Sequence, residues 1–278
     1  VLLLWGLDRY EKEPLPLLVA AFAWGALPSI GLALLMQLAL DAPIVAVSPN
    51  QLTYDLLGAS VVAPLTEEGI KAAALLFLFL FVRGELDSPI DGLVYGGVIG
   101  FGFAAVENAF YLFGTYSQGG VGGVLSLAFL RAGLFGLNHA MYTGFAGIGV
   151  GLALEMEWRW VRAVPILIGY GFAVGTHALH NALATVTAYT GPLAFLMAVI
   201  SDWTGVIVLL GAALGAFWVE RQRIVRYAER LVREGVLDED EVGVLKSTLR
   251  RRLARLDRLL TGDVEGWQTV RRYQRTVT

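Results

Sequence analysis

The sequence predicts an all-α protein, a polytopic transmembrane helix bundle of six to seven or more spans with a C-terminal cytoplasmic helical tail. Three observations predict it. Of the 278 residues, 56% are hydrophobic and only 16% charged, and the mean hydropathy of +0.62 lies above that of ordinary soluble domains. The apolar residues fall in runs of about 20 or more, each long enough to cross about 30 Å of hydrocarbon as a helix. Lys and Arg, finally, occupy every second connection between those runs.

In chain order, the opening VLLLWG is apolar but too short to span, and reads as the end of a helix that begins earlier. Spans follow at 15–40, 56–82, 90–115, 123–154, 164–188 and 192–218. Arg9 and Lys12 precede the first, Arg83 follows the second, and Arg159 and Arg162 follow the fourth. The connections at 41–55, 116–122 and 189–191 hold no Lys or Arg, so the basic connections and the tail are expected on the cytoplasmic side. Gly92, Gly96, Gly100 and Ala104 lie four apart, as do Gly136, Ala140 and Gly144, the spacing that lets helix backbones approach closely in lipid.

Two domains are predicted: a transmembrane domain over 1–219 and a basic cytoplasmic helical tail over 220–278, which holds about two thirds of the Lys and Arg. In the tail, Asp238 and Glu241 form a capping-box-like start, and Val242, Leu245, Leu249, Leu253, Leu256 and Leu260 make an apolar stripe at helical spacing. Its charge is mixed rather than one-sided, which points to packing on itself, another subunit or lipid headgroups and not to nucleic acid. With no cysteine, the chain has neither a disulfide framework nor a cysteine-ligated metal site.

Ionisable side chains at membrane depth are costly and usually face a protein interior or a wet cavity. Here they are Glu67, Glu68 and Lys71 on one span, Glu107 beside Asn108 on the next, Arg131, Asn138 and His139, then His177, His180 and Asn181, and finally Asp202. Counted from the non-cytoplasmic ends at about 1.5 Å per residue, Glu67 lies about 17 Å deep, Glu107 about 12 Å, His139 about 20 to 24 Å and His177 about 16 Å. Four helices thus bring polar groups to one layer, as a single buried site requires. Glu67 and Lys71, four apart, are expected to share a face, with Glu68 turned away by about 100°. Carboxylates, imidazoles and an amide suit water activation and oxyanion stabilisation, and a Glu with two His also suits a metal. Arg131 and Asp202 stand open between structural partners and site residues. Spacing alone separates neither hydrolysis from proton- or ion-coupled transport nor an enzyme from a membrane scaffold.

DRYEKEP at 8–14, APLTEEGIK at 63–71, DGLVYGGVIGFGFAAVENAFY at 91–111, NHAMYTGFAGIGVG at 138–151 and HALHN at 177–181 together resemble the PrsW family of intramembrane proteases, related to the CAAX prenyl endopeptidases. The resemblance runs in order from about residue 8 to residue 190. It implies hydrolysis of a peptide bond of a membrane-anchored, anti-sigma-factor-like protein substrate by a multi-pass protein of a prokaryotic plasma membrane. It places Glu67 and Glu68 on the paired glutamates, Lys71 on the basic residue after them, Glu107 and Asn108 on the E-N pair, His139 on the first histidine and His177 with Asn181 on the H-x-x-x-N pair. His180 takes a position the family often fills with a large aromatic residue. Two mechanisms are implied. In one, Glu67 and His139 prepare the water while His177 and Asn181 hold the oxyanion, without metal; in the other, Zn²⁺ is bound by Glu67 or Glu68, His139 and His177. The lipid bilayer is an implied partner and nucleic acid is not, and a homo-oligomer is an open option.

Overall fold

A computed structural model describes residues 13–82 and 86–235, all of whose regular structure is helical. By internal packing these residues fall into two units, Glu13–Ala213 and the stretch from Leu214 onward. The tail's predicted cap at Asp238 and its apolar stripe lie outside the described residues.

Four stretches are long and apolar enough to cross a membrane: Leu15–Val47, Pro89–Leu154, Ala163–Thr190 and Pro192–Arg233. The first joins α1 (Leu15–Trp24) to α2 (Ile30–Val47) through a π-turn at Gly25–Ser29. That turn contains Pro28, which supplies no N–H to the helical ladder, although α2 takes up a second proline, Pro43, without such a turn. α2 continues past the predicted end at residue 40, and its Asp41 accepts a hydrogen bond from Tyr54 Oη at 2.6 Å. Asn50 then caps α3 (Gln51–Leu57), its Oδ1 accepting from the Thr53 N–H at 2.9 Å. A π-turn at Gly58–Val62 leads into α4 (Ala63–Phe81), which carries Glu67, Glu68 and Lys71.

α5 (Pro89–Ala128) opens on a capping box between Ser88 and Asp91. The predicted loop at 116–122 shrinks to one residue, because Gly120 adopts φ +57°, a conformation glycine enters without steric penalty. The chain folds back there: Thr115 meets Gly123, and Arg131 reaches Glu107 and Asn108. A π-turn at Phe129–Leu134 and a non-helical link at residues 135–137 then interrupt the returning arm before α6 (Asn138–Leu154). Irregular backbone inside a membrane is tolerated where it lines a cavity, and this break puts Asn138 and His139 in the first turn of α6. α7 (Ala163–Thr190) ends at Gly191, with φ +74°, and α8 (Pro192–Arg233) runs unbroken through the predicted domain boundary at 219/220.

α5 and α6 pack most extensively on each other. A Cβ on Gly92 would lie 2.0 Å from the Gly147 carbonyl oxygen, and one on Gly100 would lie 2.2 Å from that of His139. The stripe predicted on the second of these helices is corrected at its first residue. Gly136 lies in the non-helical link, whereas Ala140 and Gly144 keep their place on the seam: a Cβ on Gly100 would lie 2.8 Å from the Ala140 Cα and one on Gly96 3.3 Å from the Gly144 Cα, and Gly147 and Gly151 extend the contact along the α5 arm's backbone. The break at 135–137 shifts the register that an unbroken helix would have had. Outward faces carry exposed Leu, Val and Phe side chains, as a lipid-facing surface does.

Candidate active site

The sequence places Glu67, Glu68 and Lys71 within two helical turns of α4, and what each faces decides its partner. Lys71 Nζ donates to Glu68 Oε1 at 2.6 Å, with both side chains fully buried. This corrects the expected Glu67–Lys71 pairing. Residues three apart on a helix are neighbours as much as those four apart. Glu68 turns into the closed packing against α6 and α7, where an unpaired carboxylate would be most costly. Its remaining bonds come from those helices: Thr143 Oγ1 donates to Oε2 at 2.9 Å, and His177 Nδ1 lies 3.0 Å from Oε1.

His177 is thereby fixed. The Glu68 carboxylate can only accept, so Nδ1 carries the proton and Nε2 presents its lone pair. The imidazole stacks on the Tyr142 ring at 4.7 Å and 12°. Nε2 lies 3.8 Å from Glu67 Oε2. The other Glu67 oxygen, Oε1, accepts from Gln37 Nε2 on α2 at 3.2 Å, while Oε2 is buried without a hydrogen-bond partner.

His139 stands beside this pair, its ring 5.2 Å from that of His177. Lys71 Nζ lies 3.3 Å from Nδ1 and Glu107 Oε2 lies 2.9 Å from Nε2. An ammonium only donates and a carboxylate only accepts, so His139 carries its proton on Nε2 and accepts at Nδ1. Lys71 Nζ also sits 4.0 Å above the Phe103 ring. Arg131 completes the wall: Nη2 donates to Glu107 Oε2, Nε donates to Asn108 Oδ1 at 2.6 Å, and the guanidinium lies 3.9 Å over Tyr111.

These groups border a cavity of about 660 Å³. Every predicted site residue except Glu68 and Lys71 lines it; those two form the buried layer beneath. Asn181 lines it too, but one amide hydrogen is already given to the Ala59 carbonyl in the Gly58–Val62 π-turn, at 2.7 Å. Asn108 is held by Arg131. His180 and Asp202 form a separate pair, with Nδ1 and Oδ2 2.6 Å apart.

Sequence reasoning missed Gln37, Thr143 and Tyr142. A search for ionisable groups passes over an amide and a hydroxyl, although Thr143 lies four residues after His139, one turn along the same helix.

Glu67, His139 and His177 each offer a ligand atom, all within 4.8 Å of one another. Two nitrogens and an oxygen suit a catalytic zinc site that keeps a fourth position open. The carboxylates of Glu68 and Glu107 behind the two imidazoles are the supports such ligands usually have. Glu67 Oε2 and His177 Nε2 are free to ligate as placed, whereas His139 must first release Lys71 or Glu107. The donor set therefore fits a metal with that one exchange.

A family model described as PrsW family intramembrane metalloprotease matches residues 13–215. Protease PrsW of Geobacillus kaustophilus is 33% identical over 105 residues, 38% of this chain and 43% of that protein. The Clostridioides difficile protein of the same name is 35% identical over 106 residues, 38% of this chain and 42% of its own length. That of Shouchella clausii is 33% identical over 105 residues, again 38% of this chain and 45% of its own length. The matched stretch thus spans less than half of these curated relatives. No solved structure matches. Relatives that are named as proteases do not favour the transport alternative.

Proposed function

The chain belongs to the PrsW family of intramembrane metalloproteases, and from that premise we propose that it is an endopeptidase hydrolysing a peptide bond of a membrane-anchored protein within the bilayer. The observation that carries this reading is the buried, unpartnered Glu67 Oε2 facing His177 Nε2 on the cavity wall. A carboxylate oxygen left without a donor in a membrane interior is costly unless something reactive or ligating occupies the space before it.

Glu67, His139 and His177 would hold a zinc-type ion, which when bound polarises the scissile carbonyl and acidifies a water. The chain's own groups do the rest. Without an ion, Glu67 Oε2 is instead the base that accepts the proton of the attacking water. Glu68 keeps His177 in the tautomer that presents Nε2, and Lys71 balances the charge of Glu68. Asn181, with one amide hydrogen on Ala59, has a second to donate to the developing oxyanion. Glu107, held by Arg131, fixes the ring of His139, and Asn108 holds the Arg131 guanidinium.

The wider setting follows from the same premise. Six spans result when the Gln51–Phe81 helix and both arms of the Gly120 hairpin are counted with the other three. The tail then lies in the cytoplasm of a prokaryotic cell, with the bundle in the plasma membrane. By resemblance, the substrate is anti-sigma-factor-like. The test is cleavage of a transmembrane peptide by the purified, reconstituted protein before and after chelation. Loss of cleavage on chelation and its return with Zn²⁺ is expected; full activity of a metal-free preparation would leave the glutamate-activated water as the mechanism and remove the metal.

A further inference from the structure

The pair His180–Asp202 is a second imidazole–carboxylate constellation that the hydrolytic set does not use. His180 lies one turn beyond His177 on α7, and residues three apart on a helix have Cβ atoms about 5–6 Å from each other. Its Nδ1 lies 2.6 Å from Oδ2 of Asp202, a residue only 3% exposed. Asn138 Nδ2 donates to the same Oδ2 at 2.9 Å. Asp202 can only accept, so His180 carries a proton on Nδ1, and the nearby Asn138 amide at 3.3 Å is directed to the carboxylate and not to the ring. Phe135 meets the imidazole edge to face, with centroids 4.9 Å apart. That leaves Nε2, which has no hydrogen-bond partner among the described residues, on a ring that lines the same cavity as Glu67, His139 and His177.

Amide hydrolysis needs two proton movements. One leaves the attacking water, and the other reaches the departing nitrogen, because an amide anion is too basic to leave unprotonated. Glu67 and its neighbours serve the first. Resting on the peptidase reading above, we propose that His180, held by Asp202, donates the second proton to the leaving amine. In this step the C–O bond from water has formed, the C–N bond breaks, and its electron pair takes the proton on His180 Nε2. His180 is left neutral, with its remaining proton on Nδ1 and hydrogen-bonded to Asp202, and Nε2 regains a proton from cavity water. Asp202 orients the ring and offsets the charge of the imidazolium, the part a buried aspartate plays behind a catalytic histidine. Asp202 is thus a positioning residue and His180 the one that touches the reacting atoms.

The leaving group provides the test, since an alcohol departs far more readily than an amine. The probes are a synthetic transmembrane peptide that the wild type cleaves and its depsipeptide counterpart with an ester at that bond. Both are assayed with wild type, His180→Gln, His180→Phe and Asp202→Asn, each on its folded, monodisperse fraction. Expected is a fall in kcat on the amide of about 100-fold for both His180 variants and about tenfold for Asp202→Asn, with KM little changed. On the ester the loss should stay within about fivefold. Equal losses on amide and ester, or an undiminished kcat on the amide, would overturn the role of His180 while leaving the peptidase reading in place. Failure of the wild type to cleave either probe would remove both.

Discussion

The seam between α5 and α6 and the wall between α4 and α7 stand next to each other and are built from opposite choices. Along the seam side chains are removed: Gly92, Gly96 and Gly100 each bring backbone against backbone of α6. Along the wall side chains are inserted: Glu67, His177, His180 and Asn181 keep the helices apart around about 660 Å³. The difference teaches how a membrane bundle keeps expensive polar groups in a fixed geometry. Apolar burial gives little drive for helix association in lipid, so close packing of small residues supplies the rigidity. The seam sets His139 against Gly100, and from there its imidazole reaches Glu107 on the same helix pair.

The comparison breaks most severely at the layer beneath the wall. Lys71→Met should lower stability by about 3–5 kcal/mol, because it strands the buried Glu68 carboxylate without its countercharge. Adding Glu68→Gln should recover part of that loss, as read by denaturant titration in detergent. At the seam, Gly147→Ala would put a Cβ 1.9 Å from the Gly92 carbonyl oxygen, and about 1–3 kcal/mol should be lost. Gly144→Ala sharpens the contrast: its Cβ meets only side-chain ends of Leu93 and Leu209, at 2.9 and 3.2 Å, which can move. Its melting temperature should stay closer to wild type than that of Gly147→Ala. The smallest effect belongs to Gln37→Leu, which frees Glu67 Oε1 to turn. We expect kcat for peptide cleavage to fall about tenfold, equivalent to about 1.4 kcal/mol, with stability little altered.

Much of this was legible because the exceptional residues are rare. Three histidines and a few carboxylates in apolar runs mark a shared layer from depth alone, and the structure gathers Glu67, Glu107, His139 and His177 around one cavity. The glycines of α5 were equally plain, since four-residue spacing survives wherever a helix stays regular. What spacing could not carry was direction. Helix periodicity allows Lys71 to reach Glu67 or Glu68, and only the packing of α6 and α7 makes Glu68 the one to be neutralised. Nor does periodicity foresee its own interruption: the π-turn and link at 129–137 take Gly136 out of the helix, and the small-residue face of α6 runs instead from Ala140 and Gly144 on to Gly147 and Gly151. Gln37 went unread because a single amide on a lipid-facing helix carries no pattern.

The central claim is that Glu67, His139 and His177 form one hydrolytic centre, and Glu67→Gln tests it most directly. The substitution keeps the shape of the side chain while removing its charge and its capacity as a base. Reconstituted beside the wild type, with equal stability verified, the variant should cleave a transmembrane peptide at least about 1,000-fold more slowly, a loss of about 4 kcal/mol in transition-state stabilisation. Cleavage by folded Glu67→Gln at the wild-type rate would contradict the assignment.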